Sequence, residues 1–389
     1  MDEKKKNVPK RRFKEFKNAD AWEQRELGEI CNITMGQSPD SINYTLNPLY
    51  HILVQGNADI KNSVIVPRIW TTQITKIALK NDIIFTVRAP VGDVAKNEFN
   101  LVIGRGVAAI SGNEFIFQFL QHLKQNGYWK KLSSGSTFDS ISSLELKSLP
   151  IKLPSAEEQK RIGELLVHID QTITLHQRKL EKYKAIKESY LEEMFPAEGQ
   201  RKPKRRFTGF ADDWEQREFS ELVNKLSKTS ASNSLPKIEF EDIISGEGRL
   251  NKDVSTKFDN RKGILFNENN ILYGKLRPYL KNWLYTDFKG IALGDFWVFE
   301  ANYIEPKFLY FLIQADIYQK TANDTSGTKM PRSDWQKVSS TKFYVPRDLK
   351  EQIKIGNLLM GIEETLTLHQ KKLDKLKKLK EALLEEMFV

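Results

Sequence analysis

One helical stretch occurs twice in this chain, and that repeat limits the possible folds more than any other feature. The first copy runs Arg161–Phe195, RIGELLVHIDQTITLHQRKLEKYKAIKESYLEEMF, and the second runs Lys354–Phe388, KIGNLLMGIEETLTLHQKKLDKLKKLKEALLEEMF. They align without a gap and agree at more than half of their positions. Apolar residues recur in 4-3 spacing: Ile162, Leu166, Ile169, Ile173, Leu180 and Tyr183 in the first, Ile355, Leu359, Ile362, Leu366, Leu373 and Leu376 in the second. That period is the seam of a coiled coil, and a seam so long needs a partner. The nearest partner is the other copy. No proline interrupts either stretch, and Gly163 and Gly356 are read as first-turn residues. His176 and His369 hold the same seam position, where a polar residue fixes register at some cost in stability.

A second repeat frames the first. PKRRFKEFKNADAWEQRELGEI (Pro9–Ile30) returns as PKRRFTGFADDWEQREFSEL (Pro203–Leu222). The order is therefore basic segment, globular region, helix, basic segment, globular region, helix. Helix 1 leads into the second PKRRF segment, while the first such segment has no helix before it. The two ends read as a cut in a ring of two equal units. If one helix carries the chain out and the other carries it back, they run antiparallel.

The domain reading is 1–21, a basic segment completing the ring; 22–153, the first globular domain; 154–196, helix 1; 197–213, a basic linker; 214–346, the second globular domain; and 347–389, helix 2. The fold class is α+β: two pseudo-twofold-related mixed α/β domains separated by an antiparallel coiled coil of two long helices. Strands are expected at Asp82–Val87, Leu101–Ile110, Lys237–Ile244, Gly263–Phe266 and Phe296–Phe299. One amphipathic helix per domain is expected around Phe115–Tyr128 and Pro306–Lys320. Leu132–Pro154 aligns with Asp324–Pro346, but the middles of the domains are largely unrelated in sequence. A repeated frame does one job twice; unlike middles do two different jobs.

At 389 residues the chain has room for two or three cores, and its net charge of +10 favours a polyanionic partner. The single cysteine, Cys31, excludes an internal disulfide and a cysteine-rich zinc site. No run of about 18 apolar residues predicts a membrane span, and the charged start does not read as a secretory signal. No P-loop, GxGxxG, HExxH or GxSxG is present, and His and Cys do not cluster at metal-ligand spacing. Neither a catalytic site nor a metal site is predicted. Asn47-Pro48-Leu49-Tyr50 lacks the second proline of the adenine methyltransferase NPPY and has no glycine-rich cofactor turn nearby, so it reads as a turn.

Basic residues in presumed loops are the candidate DNA contacts. They are Arg88, Arg105, Lys130 and Lys131, beside Trp129, in the first domain, and Lys275, Arg277, Lys281, Lys329 and Arg332, near Tyr279 and Trp335, in the second. Arginine can read guanine through a two-pronged contact and lysine can neutralise phosphate. SSGS (Ser133–Ser136) and TSGT (Thr325–Thr328) recur at equivalent places as turns that could also touch phosphate.

LPIKLPSAEEQKRIGELLVHID (Leu149–Asp170) and FYVPRDLKEQIKIGNLLMGIEE (Phe343–Glu364), together with the openings AWEQRELGEI and DWEQREFSEL, resemble the specificity subunits of type I restriction–modification systems over almost the whole chain. The second copy departs by one extra residue between Pro346 and Gln352. The resemblance implies two target recognition domains, each reading one half of a bipartite double-stranded DNA site, about one helical turn apart. It implies assembly with two methyltransferase subunits and up to two restriction subunits in a prokaryotic cytoplasm. The seam residues Ile162, Leu166, Ile169, Ile173, His176, Leu180, Ile355, Leu359, Ile362, Leu366, His369 and Leu373 are then coiled-coil or methyltransferase-facing positions. S-adenosylmethionine, ATP and Mg²⁺ belong to the partner subunits and not to this chain. The alternatives are a coiled-coil scaffold with two ligand-binding β-rich domains, the specificity partner of a different methyltransferase system, or a self-contained methyltransferase or nuclease.

Overall fold

The computed structural model describes residues 7–133, 140–325 and 330–389. The repeat does form two long helices, Ala156–Met194 and Leu349–Met387. Each has 39 residues, roughly 60 Å at about 1.5 Å per residue. Both start several residues before the repeat, so Gly163 and Gly356 lie about two turns in and not in the first turn. The chain divides into two compact units, residues 1–175 with 373–389, and residues 176–372. Each unit thus holds part of each long helix.

In the first unit, one sheet runs in the order Ile33–Met35, Val107–Ile110, Ile83–Thr86, Val94–Lys96, Val64–Ile65, Ile60–Lys61. A second sheet runs Tyr44–Thr45, Ile69–Thr71, His51–Val54, Leu101–Ile103, Ile77–Ala78. In the second unit the corresponding orders are Val223–Leu226, Phe296–Ala301, Ile271–Gly274, Trp283–Tyr285, and Thr229–Ser230, Gly263–Phe266, Gly290–Ala292, Lys237–Ile238. The same parallel pair recurs: His51–Val54 with Leu101–Ile103, and Lys237–Ile238 with Gly290–Ala292. The unlike middles therefore share one topology and differ at the sheet edges.

The Leu101–Ile110 run, expected as one strand, splits at Gly104-Arg105-Gly106 into strands belonging to different sheets. The expected helices also divide, into Glu114–Gln125 with Tyr128–Ser133, and Pro306–Leu312 with Asp316–Asn323.

The repeated frame has a direct physical reading. The WEQRE segments form strands Glu23–Glu26 and Glu215–Glu218, which pair antiparallel with Pro150–Leu153 and Lys342–Val345 just before the long helices. The second arginine of PKRRF grips a glutamate in the first turns of the helix. Arg12 donates to both carboxylate oxygens of Glu158 at 2.7 Å, and Arg206 to those of Glu351 at 2.6 and 2.8 Å. The glutamine that follows ties the helix start to the domain. Gln159 donates to the Pro154 carbonyl and accepts from Asn113; Gln352 donates to the Pro346 carbonyl and accepts from the Glu305 N–H. The extra residue after Pro346 is absorbed without loss of either bond.

Aromatic residues close each frame. Trp22 meets Phe115 edge-on at 5.7 Å and Trp214 meets Phe308 at 5.9 Å, while Phe388 packs on Phe115 and Phe195 on Phe308. Within the first unit the Arg11 N–H donates to the Glu386 carbonyl at 2.8 Å, which brings the N-terminal basic segment beside the end of the second long helix. Arg205 does the same to Glu193 in the second unit, also at 2.8 Å.

The long helices run antiparallel within each unit. In the first, Lys380 reaches Asp170 at 2.6 Å. In the second, Lys187 pairs with Glu363, and His176 Nδ1 lies 2.8 Å from His369 Nδ1. Much of the seam, however, packs on the domains. Ile162, Leu166 and Ile169 join Phe115, Phe119 and Leu384 in one core, and Ile355, Leu359 and Ile362 join Phe308 and Tyr318 in the other. Gly163 and Gly356 permit this approach: a Cβ there would lie 2.8 Å from Glu114 Cβ and 2.9 Å from the Phe308 nitrogen. These six seam positions are interior within the chain itself. Ile173, Leu366 and His369 are half-buried, and His176, Leu180 and Leu373 are buried.

The His176–His369 contact requires that one ring donate and the other accept, so at least one is neutral. Burial, followed by His369, Lys372 and Lys179, lowers the His176 pKa, while the Tyr183 ring stacks on His369. A depressed folded pKa means the unfolded chain binds more protons just below about pH 6.5. Stability should therefore fall as pH drops from that value toward the lower folded one. Urea midpoints at pH 7.5 and 5.5 should diverge less for His176→Gln than for the parent; equal divergence would remove the pair as the cause.

Candidate nucleic-acid interface

Arg88 and Arg105 in the first unit, and Lys275 and Arg332 in the second, stand on a three-segment rim built alike in both units. In the first, the Val87 N–H donates to the Gly106 carbonyl at 2.9 Å, and the Ile141 N–H donates to the Val87 carbonyl at 2.9 Å. In the second, Lys275 bonds to Asp295 at 2.9 Å and Ser333 to Lys275 at 2.8 Å. Single bridges pair Arg88 with Ser140 and Leu276 with Arg332. Ser140 and Arg332 occupy matching positions in the aligned Leu132–Pro154 and Asp324–Pro346 segments. In each unit the loop leaving a central strand is thus fixed between a turn and the segment after the short helices.

The side chains on the two rims differ. Arg88 and Arg105 are exposed in the first unit, and Lys130 and Lys131 project from the helix Tyr128–Ser133. Trp129 anchors that helix under the loop: a Cβ at Gly92, whose φ is +93°, would fall 2.2 Å from its ring. In the second unit Lys275 and Arg332 share Asp295, at 3.5 and 3.0 Å. The Arg332 guanidinium holds the Asp295 carboxyl below the usual carboxylate range. Arg277 and Lys281 flank the turn Pro278–Leu280 with φ of +49° and +55°. Such values cost non-glycine residues energy and place both side chains at a sharp corner beside exposed Tyr279. Lys329 and all but the first residues of SSGS and TSGT lie outside the described residues.

Sequence reasoning missed one basic residue of the rim. Lys225 stands 4.3 Å from the centre of the Trp335 ring, and burial, then Lys275, lowers its pKa. Its alternation in the strand Val223–Leu226 was the available signal. Asn47–Tyr50 forms the turn expected from its sequence, with the Leu49 N–H donating to Asn47 Oδ1 at 3.0 Å. Among the described residues, no group of three or more His, Cys, Asp or Glu is placed to hold a metal ion. No described helix is long and apolar enough to cross a membrane.

Two domains of one topology with unlike basic rims, each completed by part of both long antiparallel helices, make this a tandem-domain protein. A family model described as the type I restriction modification DNA specificity domain matches residues 19–185 and 211–378. The putative type I restriction enzyme MjaX specificity subunit of Methanocaldococcus jannaschii is 35% identical over 178 residues, covering 44% of this chain and 41% of that protein. The MjaIX specificity subunit of the same organism is 23% identical over 80% of this chain and 78% of its own length. The crystal structure of the type I restriction–modification S subunit from M. genitalium superposes with a TM-score of 0.69 at 17% identity, covering 98% of this chain and 99% of that one. The chain belongs to the type I restriction–modification specificity subunits and carries two DNA specificity domains.

Proposed function

We propose that the two units read different halves of one bipartite DNA site, the first through Arg88, Arg105, Lys130 and Lys131, the second through Lys275, Arg277, Lys281 and Arg332. The observation that carries this reading is the shared rim, which presents a different basic set in each unit. Phosphate contacts from such residues position a duplex, and arginines at base edges specify it.

The chain itself is non-catalytic in this proposal and works in the cytoplasm. Methyltransferase subunits, and restriction subunits for cleavage, supply the chemistry with their own S-adenosylmethionine, ATP and Mg²⁺. Leu175 and Leu368 occupy the same repeat position and are 51% and 65% exposed.

The test uses the chain assembled with its methyltransferase subunit. Lys275→Gln should weaken binding to all duplexes alike and reduce the slope of affinity against salt by about 1. Arg277→Gly, which tolerates the left-handed backbone, should relax one base position of one half-site by about 1–3 kcal/mol. Unchanged salt slope and unchanged methylation sites in both variants would sink the assignment.

A further inference from the structure

Among the described residues, the first unit carries an edge that the second lacks. Beyond His51–Val54, its sheet continues into Ile69–Thr71 and then Tyr44–Thr45, whereas the matching strand Lys237–Ile238 ends its sheet. Around the added edge strand, Ile42, Leu46 and Leu49 are 91%, 79% and 89% exposed, with Tyr50 half-exposed beside them. The segment is firmly held. Gln55 Nε2 donates to the Tyr44 hydroxyl at 2.6 Å, Asn43 Nδ2 donates to Gln73 Oε1 at 3.0 Å, and the Asp40 N–H donates to the same Gln73 oxygen at 2.8 Å. Three large apolar side chains are therefore kept in water by an ordered scaffold, which marks a contact surface.

We propose that this edge loop is a base-reading element of the first unit, with Ile42, Leu46 and Leu49 covering apolar base edges such as thymine methyl groups in the major groove. Three observations select DNA bases as the occupant. The root of the loop is joined to the turn bearing Arg105: the Gly36 N–H donates to the Val107 carbonyl at 3.0 Å, the Gln37 N–H to the Ile103 carbonyl at 2.9 Å, and the Arg105 N–H to Ser38 Oγ at 3.1 Å. The loop thus continues the basic rim. Between Asp40 and Asp59 there is no Asp, Glu, Lys or Arg. A span with neutral Asn47 and aliphatic side chains matches the uncharged base edges and adds to the arginines Arg88 and Arg105 of the adjoining rim. Finally, a protein partner served equally by both units needs features common to both, and this edge belongs to one. What only one unit has fits the task in which the two differ.

The inference rests on the DNA-reading proposal, and its test separates the two. Methylated adenines are mapped genome-wide in cells expressing the chain with its methyltransferase subunit, for the parent and for the exposed-residue variant Ile42→Ser/Leu46→Ser/Leu49→Ser. The expected result is a bipartite parental site and, in the variant, about tenfold or greater loss of discrimination at one or two positions of a single half-site. The other half-site should be unchanged, and the methyltransferase subunit should copurify as before. A variant with the parental site and normal assembly overturns the loop assignment while leaving the DNA-reading proposal intact. Loss of copurification with an unchanged site assigns the loop to a protein partner and likewise overturns it. A parent that methylates no bipartite site overturns the DNA-reading proposal itself.

Discussion

Alanine at Arg206 is expected to destabilise the second unit by about 3–5 kcal/mol, the usual cost of removing one partner from a buried ion pair. Glu351 is 1% exposed, and its two oxygens receive Nε and Nη2 of Arg206. Without the guanidinium, the nearest remaining side-chain donor is Trp214 Nε1 at 3.4 Å, a long and neutral contact. The carboxylate would then stay charged in an interior position or take up a proton, and either is costly. The check is a double-mutant cycle with Glu351→Gln, followed by urea denaturation. A loss below about 1 kcal/mol, typical of exposed pairs, would mean that water reaches Glu351. The same experiment on Arg12 and Glu158 probes the first unit.

The second large effect is expected at Leu166. This side chain is fully buried where the long helix, the helix Glu114–Gln125 and the last turns of Leu349–Met387 share one core. Leu166→Ala should cost about 2–5 kcal/mol, the range for emptying a leucine site that relaxes only in part. Hydrogen exchange should rise across residues 1–175 and 373–389 and change little across 176–372. Uniform loosening of both units would show that they unfold as one.

The seam residues were legible because helix periodicity survives in any sequence whose helix buries one narrow face. What they bury against was not, since a repeat of Ile162, Leu166 and Ile169 looks the same whether it meets a second helix or a domain. Gly163 and Gly356 were the available hint, because small residues in a long helix allow another backbone to come near. The basic rim was legible by residue type and only partly by place. Nothing in the linear order says that Lys275 and Arg332 meet over Asp295, or that Arg88 and Ser140 bridge, because those contacts depend on how distant strands register. Leu101–Ile110 misled for a related reason: an unbroken apolar run does not reveal that Gly104-Arg105-Gly106 turns the chain into another sheet. The exposed leucines of the edge loop look like core residues in composition, so only coordinates separate them from the interior.

The division of the chain has a consequence for its gene. The first unit needs Leu383, Leu384, Met387 and Phe388 from the far end of the sequence to fill its core, while Met194 and Phe195 fill the matching place in the second. A polypeptide stopped near residue 200 would carry the plug that fits its own empty socket, but at the wrong end of its helix. A half of this kind would leave Phe115, Phe119 and His122 without the Phe388 ring that packs on them, so the first unit cannot close until the last helix has been made.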